Sequence, residues 1–255
     1  MVNKFSIVTI SYNAALCIEK TIHSVEAQEF LPYEYVFIDG GSNDNTNELI
    51  AEAEIRLIEK KIKVVHISEA DEGISDAFNK GIRQSTGEVV VILNAGDEML
   101  PGTLKLLHEK FEDKTDVLYG NVVWHDENTD REHVRKSDTN LQKLLYHMHI
   151  MHPATYVRKS AYEKYGYFNL DYKFSMDKEL LYRFYKKDAV FQYVDHSFTK
   201  FISGGKSDSI NKNALKEGER MALSYGEPRL KVKLITIKKI LFYYGAHAVR
   251  KVLKR

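Results

Sequence analysis

Four residues at the end of an apolar run, Asn94-Ala95-Gly96-Asp97, have the types needed for a cation and phosphate site. Residues 89–93 read as a buried strand that stops at a small turn presenting one carboxylate. Open α/β sheets bind ligands at the carboxyl ends of their strands, and glycine allows close approach to the backbone. A hard oxygen ligand such as Asp97 suits a divalent cation that also holds phosphates. An ordinary strand-to-helix turn capped by Asp97 explains the same residues without a ligand.

Three further carboxylates, Asp39, Asp71 and Asp177, stand at the ends of predicted elements. A lone Asp after a strand is usually a turn former. Several at successive strand ends of a parallel sheet converge on one edge, which predicts a binding cleft there. The first strand is followed by no dinucleotide fingerprint or phosphate-binding loop, and the chain has no Gly-x-Ser-x-Gly elbow. The Rossmann, P-loop and α/β-hydrolase interpretations therefore lose their main support.

The elements that must position these side chains alternate along the first part of the chain. Apolar, β-branched runs predict strands, and apolar residues at helical spacing predict helices between them. This alternation is typical of βαβ units around a parallel sheet. The predicted strands are 5–11, 35–39, 63–67 and 89–93. Beyond about residue 100 the pattern is mixed, with strands at 117–124 and 190–194, an exposed charged loop at 126–138, and helices at 141–146, 159–165 and 177–187.

The composition is that of a globular protein, with 255 residues, 44% hydrophobic and 29% charged. Cys17 is the single cysteine, so no internal disulfide is possible and a reducing compartment is expected. We interpret Cys17 as a small buried apolar residue. The clustered His147, His149 and His152 have no cysteine partners, which argues against a zinc site. Residues 1–4 lead straight into a strand-like run and no apolar stretch is long enough to span a membrane, so a cytoplasmic location is expected.

Charge is distributed unevenly along the chain. Residues 228–255 contain no acid and nine Lys or Arg, so residues 1–227 carry a net charge of −8. Apolar residues recur in this tail at helical steps, which predicts a basic amphipathic helix: Leu230, Leu234, Ile237, Leu241, Tyr244, Ala248 and Val252. Such a helix suits the surface of an anionic leaflet, although packing on the acidic body explains it too. Nucleic-acid binding is not expected, since no recognition motif accompanies the basic residues.

Several segments in the same order resemble family 2 inverting glycosyltransferases of the GT-A fold, most of all bacterial enzymes of capsule, O-antigen or colanic-acid assembly. The segments are 5–13, 37–46, 67–81, 93–97, 152–159, 173–183 and the Gly204-Gly205 loop. The resemblance covers roughly residues 4–208. It implies a Rossmann-like α/β fold with a mixed, mainly parallel central sheet and a C-terminal helical extension. It divides the chain into a glycosyltransferase domain at 1–215, with a nucleotide-sugar half at 1–115 and an acceptor half at 116–215, and an extension at 216–255.

The resemblance also implies a role for each residue of the donor site. Asp97 would bind Mg²⁺ or Mn²⁺ on the donor diphosphate, and Gly96 stands where many relatives have a second acid. The metal would then depend on one carboxylate, phosphate oxygens and waters, as Mg²⁺ tolerates. Asp177 matches the catalytic base that takes the proton of the acceptor hydroxyl. The remaining donor-binding residues are Thr9, Ser11, Tyr12 and Asp39 for the base and ribose, Asp71 and Asn79 in the same pocket, and Asn94, Ala95 and Gly96 beside the metal.

The acceptor side is less specified by the sequence. Glu179 is a reserve candidate for the base, and only one of it and Asp177 can reach the site if both lie on one helix. His152 and Arg183 are candidate acceptor or phosphate ligands, with a hydrogen-bonded structural histidine and a surface ion pair as alternatives. The implied partners are a UDP-sugar or GDP-sugar donor and a lipid-linked glycan acceptor at the inner face of the plasma membrane.

Two other functions are compatible with part of the pattern. A nucleotidyltransferase also uses a parallel sheet and a metal-bound carboxylate, but it is expected to have a Gly-rich basic loop after the first strand. This chain has Ser11-Tyr12-Asn13-Ala14 there. A non-catalytic sugar-nucleotide or glycan-binding protein is favoured only if Gly96 marks a decayed metal site.

Overall fold

The strands form one sheet with a parallel half and a mixed half. The computed structural model describes residues 2–203 and 212–253, with side chains up to 242. Gly204 and Gly205 of the predicted loop lie outside the described residues. The strands are β1 (Phe5–Ser11), β2 (Glu34–Asp39), β3 (Lys63–Ser68), β4 (Val89–Ile92), β5 (Glu98–Met99), β6 (Val117–Asp126), β7 (Arg131–Arg135), β8 (Thr155–Arg158) and β9 (Phe191–Ser203). Their order in the sheet is β3-β2-β1-β4-β8-β6-β9-β5, with β7 paired to β6.

Helices cover both faces of the sheet. They are α1 (Ile18–Glu26), α2 (Thr46–Glu59), α3 (Ile74–Gln84), α4 (Thr103–Lys110), α5 (Lys159–Tyr165), α6 (Met176–Lys186), α7 (Lys212–Ser224) and α8 (Arg229–Leu253), with single 3₁₀ turns at Leu141–Leu145 and His152–Ala154. The apolar residues of α1, α2 and α4 form one core with Ile7 and Phe37. Those of α3, α5 and α6 form a second core with Val8 and Ile38. Alternate residues of each central strand therefore serve opposite cores, which explains why these strands are apolar throughout.

The parallel half places the predicted carboxylates at one edge. β3, β2, β1 and β4 are all parallel neighbours. Ser11 at the end of β1 lies opposite Asp39 at the end of β2, and Asp39 lies opposite Ser68 of β3. Asn94 is the second residue after the end of β4. The predicted α/β class and the convergence of strand ends are both confirmed.

The mixed half differs from the sequence prediction in two places. β8 joins β4 and β6 in antiparallel register, and β9 runs parallel to β6. The exposed loop predicted at 126–138 was wrong, because residues 131–135 form β7 and pair with β6 as a hairpin. All five residues of β7 are exposed, so the strand lacks the apolar alternation by which a strand is recognised. β9 is also longer than the predicted 190–194.

The tail helix α8 has one face on the protein and another in solvent. Val232 is 4% exposed and belongs to the same core as Met221 and Ala222 of α7. The predicted stripe lies on the opposite side, with Leu230, Leu234, Ile237 and Leu241 all more than half exposed. The two interpretations of the tail are therefore compatible, since packing on the body leaves the stripe free. Among the described residues, no helix combines the length and apolar character needed to cross a membrane.

Candidate active site

A cleft of about 920 Å³ opens at the carboxyl ends of β1 and β4. The 3₁₀ turn at His152–Ala154, the start of α6 and the end of β9 complete its walls. Seven residues predicted from the sequence line it: Ser11, Tyr12, Asp71, Asn94, Ala95, His152 and Asp177. The topology thus brings five of the nine predicted donor residues and the predicted base to one cavity, which is large enough for a small-molecule ligand.

One end of the cleft combines an exposed aromatic ring with a carboxylate. Tyr12 is 64% exposed and presents its ring at this end, beside Gly40. A methyl group on Gly40 would lie 2.9 Å from Oδ2 of Asp71, so a larger residue at position 40 would displace this carboxylate. Lys80 holds Asp71 through a 2.9 Å ion pair, and hydrogen bonds to Glu69 and Asp71 raise the pKa of Lys80. The ion pair with Lys80 therefore holds the Asp71 carboxylate at the wall of the cleft.

Three of the predicted donor residues point into the protein instead. The Asp39 side chain is fully buried and does not line the cleft. Burial alone would raise the pKa of Asp39, but its hydrogen bonds outweigh that effect and lower it. Thr9 shares a 3.0 Å hydrogen bond with the Tyr35 hydroxyl. The Asn79 amide donates to the Phe168 carbonyl and accepts from the Phe168 N–H. The donors to Asp39 are the side chains of Ser11, Ser42, Asn47 and Ser68 and the N–H groups of Gly41 and Ser42.

Asp97 is held in a tight turn next to the cleft. Gly96 has φ of +104°, a conformation that favours glycine. Its N–H donates to Thr21 Oγ1, which in turn donates to the Asp97 carbonyl at 2.8 Å. The carboxylate itself is 4% exposed and accepts a 3.4 Å hydrogen bond from the Ile202 N–H of β9. Burial raises the pKa of Asp97 to about 7, against weaker lowering by Ile202 and Asn94.

Asn94 lines the cleft, whereas Gly96 and Asp97 lie behind it, and the side-chain oxygens of Asn94 and Asp97 are of the type that binds a divalent cation. Oδ1 of Asn94 is buried without a hydrogen-bond partner, which is costly unless a ligand satisfies it. Asp97 beside it is a carboxylate whose charge the protein does not balance. No group of three or more His, Cys, Asp or Glu suited to a metal exists among residues 2–203 and 212–253. The described residues therefore offer few hard oxygen ligands, and phosphate oxygens and waters would have to complete the shell of any divalent cation bound here.

Asp177 has a free oxygen at the opposite wall. The residue begins α6, and its Oδ1 is buried without a hydrogen-bond partner in the described part of the chain. The nearest basic atom is Nε2 of His152, 3.7 Å away. The His152 ring packs near Phe78 and Phe168, with centroids 5.5 and 6.0 Å distant, which fixes its position. The pair can orient an acceptor hydroxyl and take its proton.

Glu179 and Arg183 are engaged away from the cleft. Glu179 is 6% exposed and forms an ion pair with Arg183, at 2.9 Å between Oε1 and Nε. Arg183 also donates to the backbone carbonyls of residues 165–167, so it ties α6 to the end of α5. Neither residue lines the cleft.

The cleft also contains residues that the sequence did not single out. Phe201 of β9 lines it, although a prediction of this strand as 190–194 could not bring it there. Cys17, which we interpreted from the sequence as buried, is only half-buried in the cleft wall, and its Sγ lies 3.7 Å from the position that a Cβ on Gly96 would take. Burial is the main cause that raises the pKa of its thiol. Gly40 also lines the cleft, although the sequence marks it only as part of segment 37–46, without a role of its own.

The sequence matches known proteins over most of its length. The sequence model described as glycosyl transferase family 2 matches residues 6–190. A Mycobacterium bovis protein named PGL/p-HBAD biosynthesis glycosyltransferase is 27% identical over 242 residues, covering 91% of this chain and 88% of that protein.

Solved structures share the fold at lower identity. S. aureus TarS 1–349, in complex with UDP-GlcNAc, has a TM-score of 0.67 at 17% identity, covering 95% of this chain and 73% of TarS. The mannosyltransferase PcManGT from Pyrobaculum calidifontis, in complex with GDP-Man and Mn²⁺, has a TM-score of 0.63 at 14% identity, covering 94% and 70%. These likenesses confirm the predicted GT-A fold.

Proposed function

Because the chain belongs to glycosyl transferase family 2, we propose that it moves one sugar from a nucleoside-diphosphate sugar to a hydroxyl of a glycan acceptor. The product belongs to a bacterial surface polysaccharide or glycolipid, and the linkage forms with inversion. The observation that carries the proposal is the pair of unpartnered buried oxygens, on Asn94 and Asp177, among the residues that line one cleft. The first belongs to the donor side and the second to the acceptor side.

The donor binds between the strand ends of the parallel half. Tyr12 and Ser11 contact the nucleoside, and Asp71 accepts hydrogen bonds from it; Thr9, Asp39 and Asn79 hold the walls from behind. Asp97 and Asn94 hold Mg²⁺ or Mn²⁺ together with the diphosphate. When bound, the cation neutralises charge on the leaving diphosphate. Both UDP-GlcNAc and GDP-Man occur in the complexes with structurally similar proteins, which supports a nucleotide-sugar donor of either base and favours neither.

Asp177 is the base of a single displacement. The acceptor oxygen attacks the anomeric carbon from the side opposite the diphosphate, the bond to the diphosphate breaks, and Asp177 takes the hydroxyl proton. An α-linked donor therefore gives a β-linked product, and no bond to the enzyme forms. His152 positions the acceptor beside this carboxylate, while Glu179 and Arg183 support α6.

The acceptor is proposed to be attached to a lipid. The free stripe of α8, formed by Leu230, Leu234, Ile237 and Leu241, has Lys231, Lys233 and Lys238 exposed around it. An apolar face flanked by lysines suits the boundary between head groups and acyl chains of an anionic membrane. We therefore propose a peripheral position at the inner face of the plasma membrane.

A screen of sugar nucleotides tests the function. In the presence of Mn²⁺, the correct donor should raise the melting temperature, because a ligand that binds only the folded state stabilises it. That donor should then be hydrolysed slowly, with metal-dependent release of the nucleoside diphosphate. Release of pyrophosphate from a nucleoside triphosphate would instead indicate a nucleotidyltransferase. Binding without any turnover, even with acceptor extracts, would indicate a non-catalytic protein.

A further inference from the structure

A second pocket lies between α6, α7 and α8, on the side of the protein that carries the free stripe. Its inner part is a cavity of about 30 Å³ lined by Tyr146, Lys178, Gly218 and Lys239, among others. Its outer part is an open groove of about 340 Å³ lined by Tyr146, His147, Ile235, Lys238, Lys239 and Phe242. Tyr146, Ile235 and Lys239 line both parts, so the cavity and the groove adjoin one another.

Lys178 is buried in this pocket without a counter-ion. It is 7% exposed, and the described residues supply neither a hydrogen bond nor an ion pair to its ammonium group. Burial and the nearby charge of Lys239 lower its pKa to about 8, against weak opposition from Glu217. An isolated buried charge is among the costliest groups a fold can hold, and such groups are normally paired.

The acids nearby do not compensate this charge. The Glu217 carboxylate accepts hydrogen bonds from the N–H groups of Lys173, Phe174 and Ser175 in the loop before α6. Glu219 also lines the inner cavity, but it forms no ion pair with Lys178 or Lys239 within the described part of the chain.

The fold makes room for the ammonium group at a cost. Gly218 lies within α7, where glycine is unfavourable by about 1 kcal/mol relative to alanine. A methyl group at this position would lie 3.2 Å from Nζ of Lys178, inside normal contact distance. Lys239 approaches from α8 and donates to the Tyr146 carbonyl, and burial lowers its pKa as well. A buried cation, Lys178, and a partly buried one, Lys239, thus line the same small cavity.

We propose that this pocket binds the terminal phosphate monoester of an anionic membrane lipid, whose hydrocarbon chain lies in the groove beside Ile235 and Phe242. Phosphate oxygens provide the missing counter-charge for Lys178 and Lys239, and Lys238 lies at the rim of the groove. The groove walls of Tyr146, Ile235 and Phe242 are suited to hydrocarbon rather than to a hydrated anion alone. The proposal rests on the membrane position proposed for α8, and it adds recognition of one head group to that general affinity.

Thermal unfolding in inorganic phosphate tests the charged part of the pocket. With EDTA present and ionic strength matched by chloride, phosphate should raise the melting temperature of the wild-type protein by at least about 2 °C. Lys178→Met removes the unpaired charge while keeping the side chain's length. It should raise the melting temperature in chloride by about 2–4 °C and abolish the response to phosphate. Lys233→Met, an exposed lysine of α8, should behave like wild type. A lower melting temperature for Lys178→Met in chloride, or a retained response to phosphate, would overturn the site.

Vesicles distinguish a lipid head group from free phosphate. Phosphatidylcholine vesicles containing phosphatidic acid should bind the wild-type protein at least about tenfold more tightly than vesicles of equal surface charge containing phosphatidylserine. Lys239→Gln should lose this preference, whereas Lys233→Gln removes the same charge and should keep it. Equal binding to both vesicles, with the phosphate response intact, would show a free-phosphate site and overturn the lipid assignment. Metal-dependent donor hydrolysis by the wild-type protein needs neither vesicle nor phosphate, so it tests the proposed function separately.

Discussion

Nε2 of His152 lies 3.7 Å from Oδ1 of Asp177, beyond hydrogen-bond distance, and that oxygen has no other partner among the described residues. A carboxylate oxygen that is buried and unsatisfied is available to a hydroxyl that enters the cleft. The His152 imidazole is therefore near enough to orient such a hydroxyl, but too far away to form a hydrogen bond with the Asp177 carboxylate itself.

Replacement of Asp177 tests the base. Asp177→Asn should lower kcat by about 10²-fold or more, since general-base catalysis is usually of that size. Donor affinity, measured by titration with the sugar nucleotide, should change little. Glu179→Gln is the matched control, because it removes a carboxylate from the same helix turn that is paired with Arg183 and away from the cleft. A large loss in Glu179→Gln with near-normal Asp177→Asn would reverse the assignment.

Replacement of Asp97 tests the cation site. Asp97→Asn should reduce turnover to background and weaken donor binding in Mn²⁺, because the diphosphate loses the ligand that recruits its cation. The melting temperature without ligand should not fall, since the substitution leaves a buried neutral amide where a poorly compensated carboxylate stood. Glu98→Gln removes the neighbouring charge and should retain activity. Activity of the wild-type protein that survives EDTA would contradict the assignment.

The two faces of α8 should respond differently to substitution. Leu234→Ser with Leu241→Ser should weaken binding to anionic vesicles at unchanged melting temperature, because both side chains are more than half exposed. Val232→Ala should lower the free energy of unfolding by about 2 kcal/mol without changing vesicle binding, since Val232 is 4% exposed. Added salt should weaken the vesicle binding of the intact protein, because it screens the lysines. Equal vesicle binding by the double variant would end the membrane proposal.

Stability at low pH should depend on Glu34. Burial alone would raise the pKa of this fully buried carboxylate, but hydrogen bonds from Ser6, Thr86 and Lys63 lower it to about 2. An unfolded glutamate has a pKa of about 4.3, so the folded protein holds the ionised form more strongly. The resulting stability, about 3 kcal/mol, is present above about pH 4.3 and is lost as pH falls towards about 2.

Urea unfolding of Glu34→Gln at two pH values measures this contribution. The variant should be less stable than wild type at about pH 6, and the difference should shrink at about pH 3. Glu29→Gln changes an acid whose side chain is 75% exposed, so it should show no such convergence. A difference between Glu34→Gln and wild type that is constant with pH would contradict the linkage.

The sequence was sufficient for the parts of the fold that rest on local pattern. The parallel strands and the helices that cross between them follow from apolar runs and helical spacing, and α5 was predicted at its observed bounds. β7 escaped detection because an edge hairpin with five exposed residues has no apolar alternation. Phe201 lines the cleft because β9 extends to Ser203. That extension depends on pairing with β6, a contact between distant parts of the chain that local sequence pattern does not reveal.

Side-chain direction was the main feature of the site that the sequence could not provide. Thr9 and Ser11 lie on one strand, but Thr9 is two residues, about 7 Å, further from the edge of the sheet and bonds to Tyr35 instead. Asn79 stands in a segment that resembles the family, yet its amide is satisfied by the backbone of Phe168. Whether a side chain faces the cleft or the protein interior depends on its hydrogen-bond partner. Tyr35 and Phe168, the partners of Thr9 and Asn79, are far from them in sequence.

Asp39 has a consequence for motion within the donor half. A single buried carboxylate accepts hydrogen bonds from Ser11 of β1, Ser68 of β3 and the amides of Gly41 and Ser42 in the loop after β2. Loop amides usually exchange with solvent deuterons quickly, since loops open at little cost. Here the amides of Gly41 and Ser42 are bonded to a carboxylate that two other strands also hold in place. We therefore expect these two amides to exchange more slowly than the amides of an ordinary surface loop.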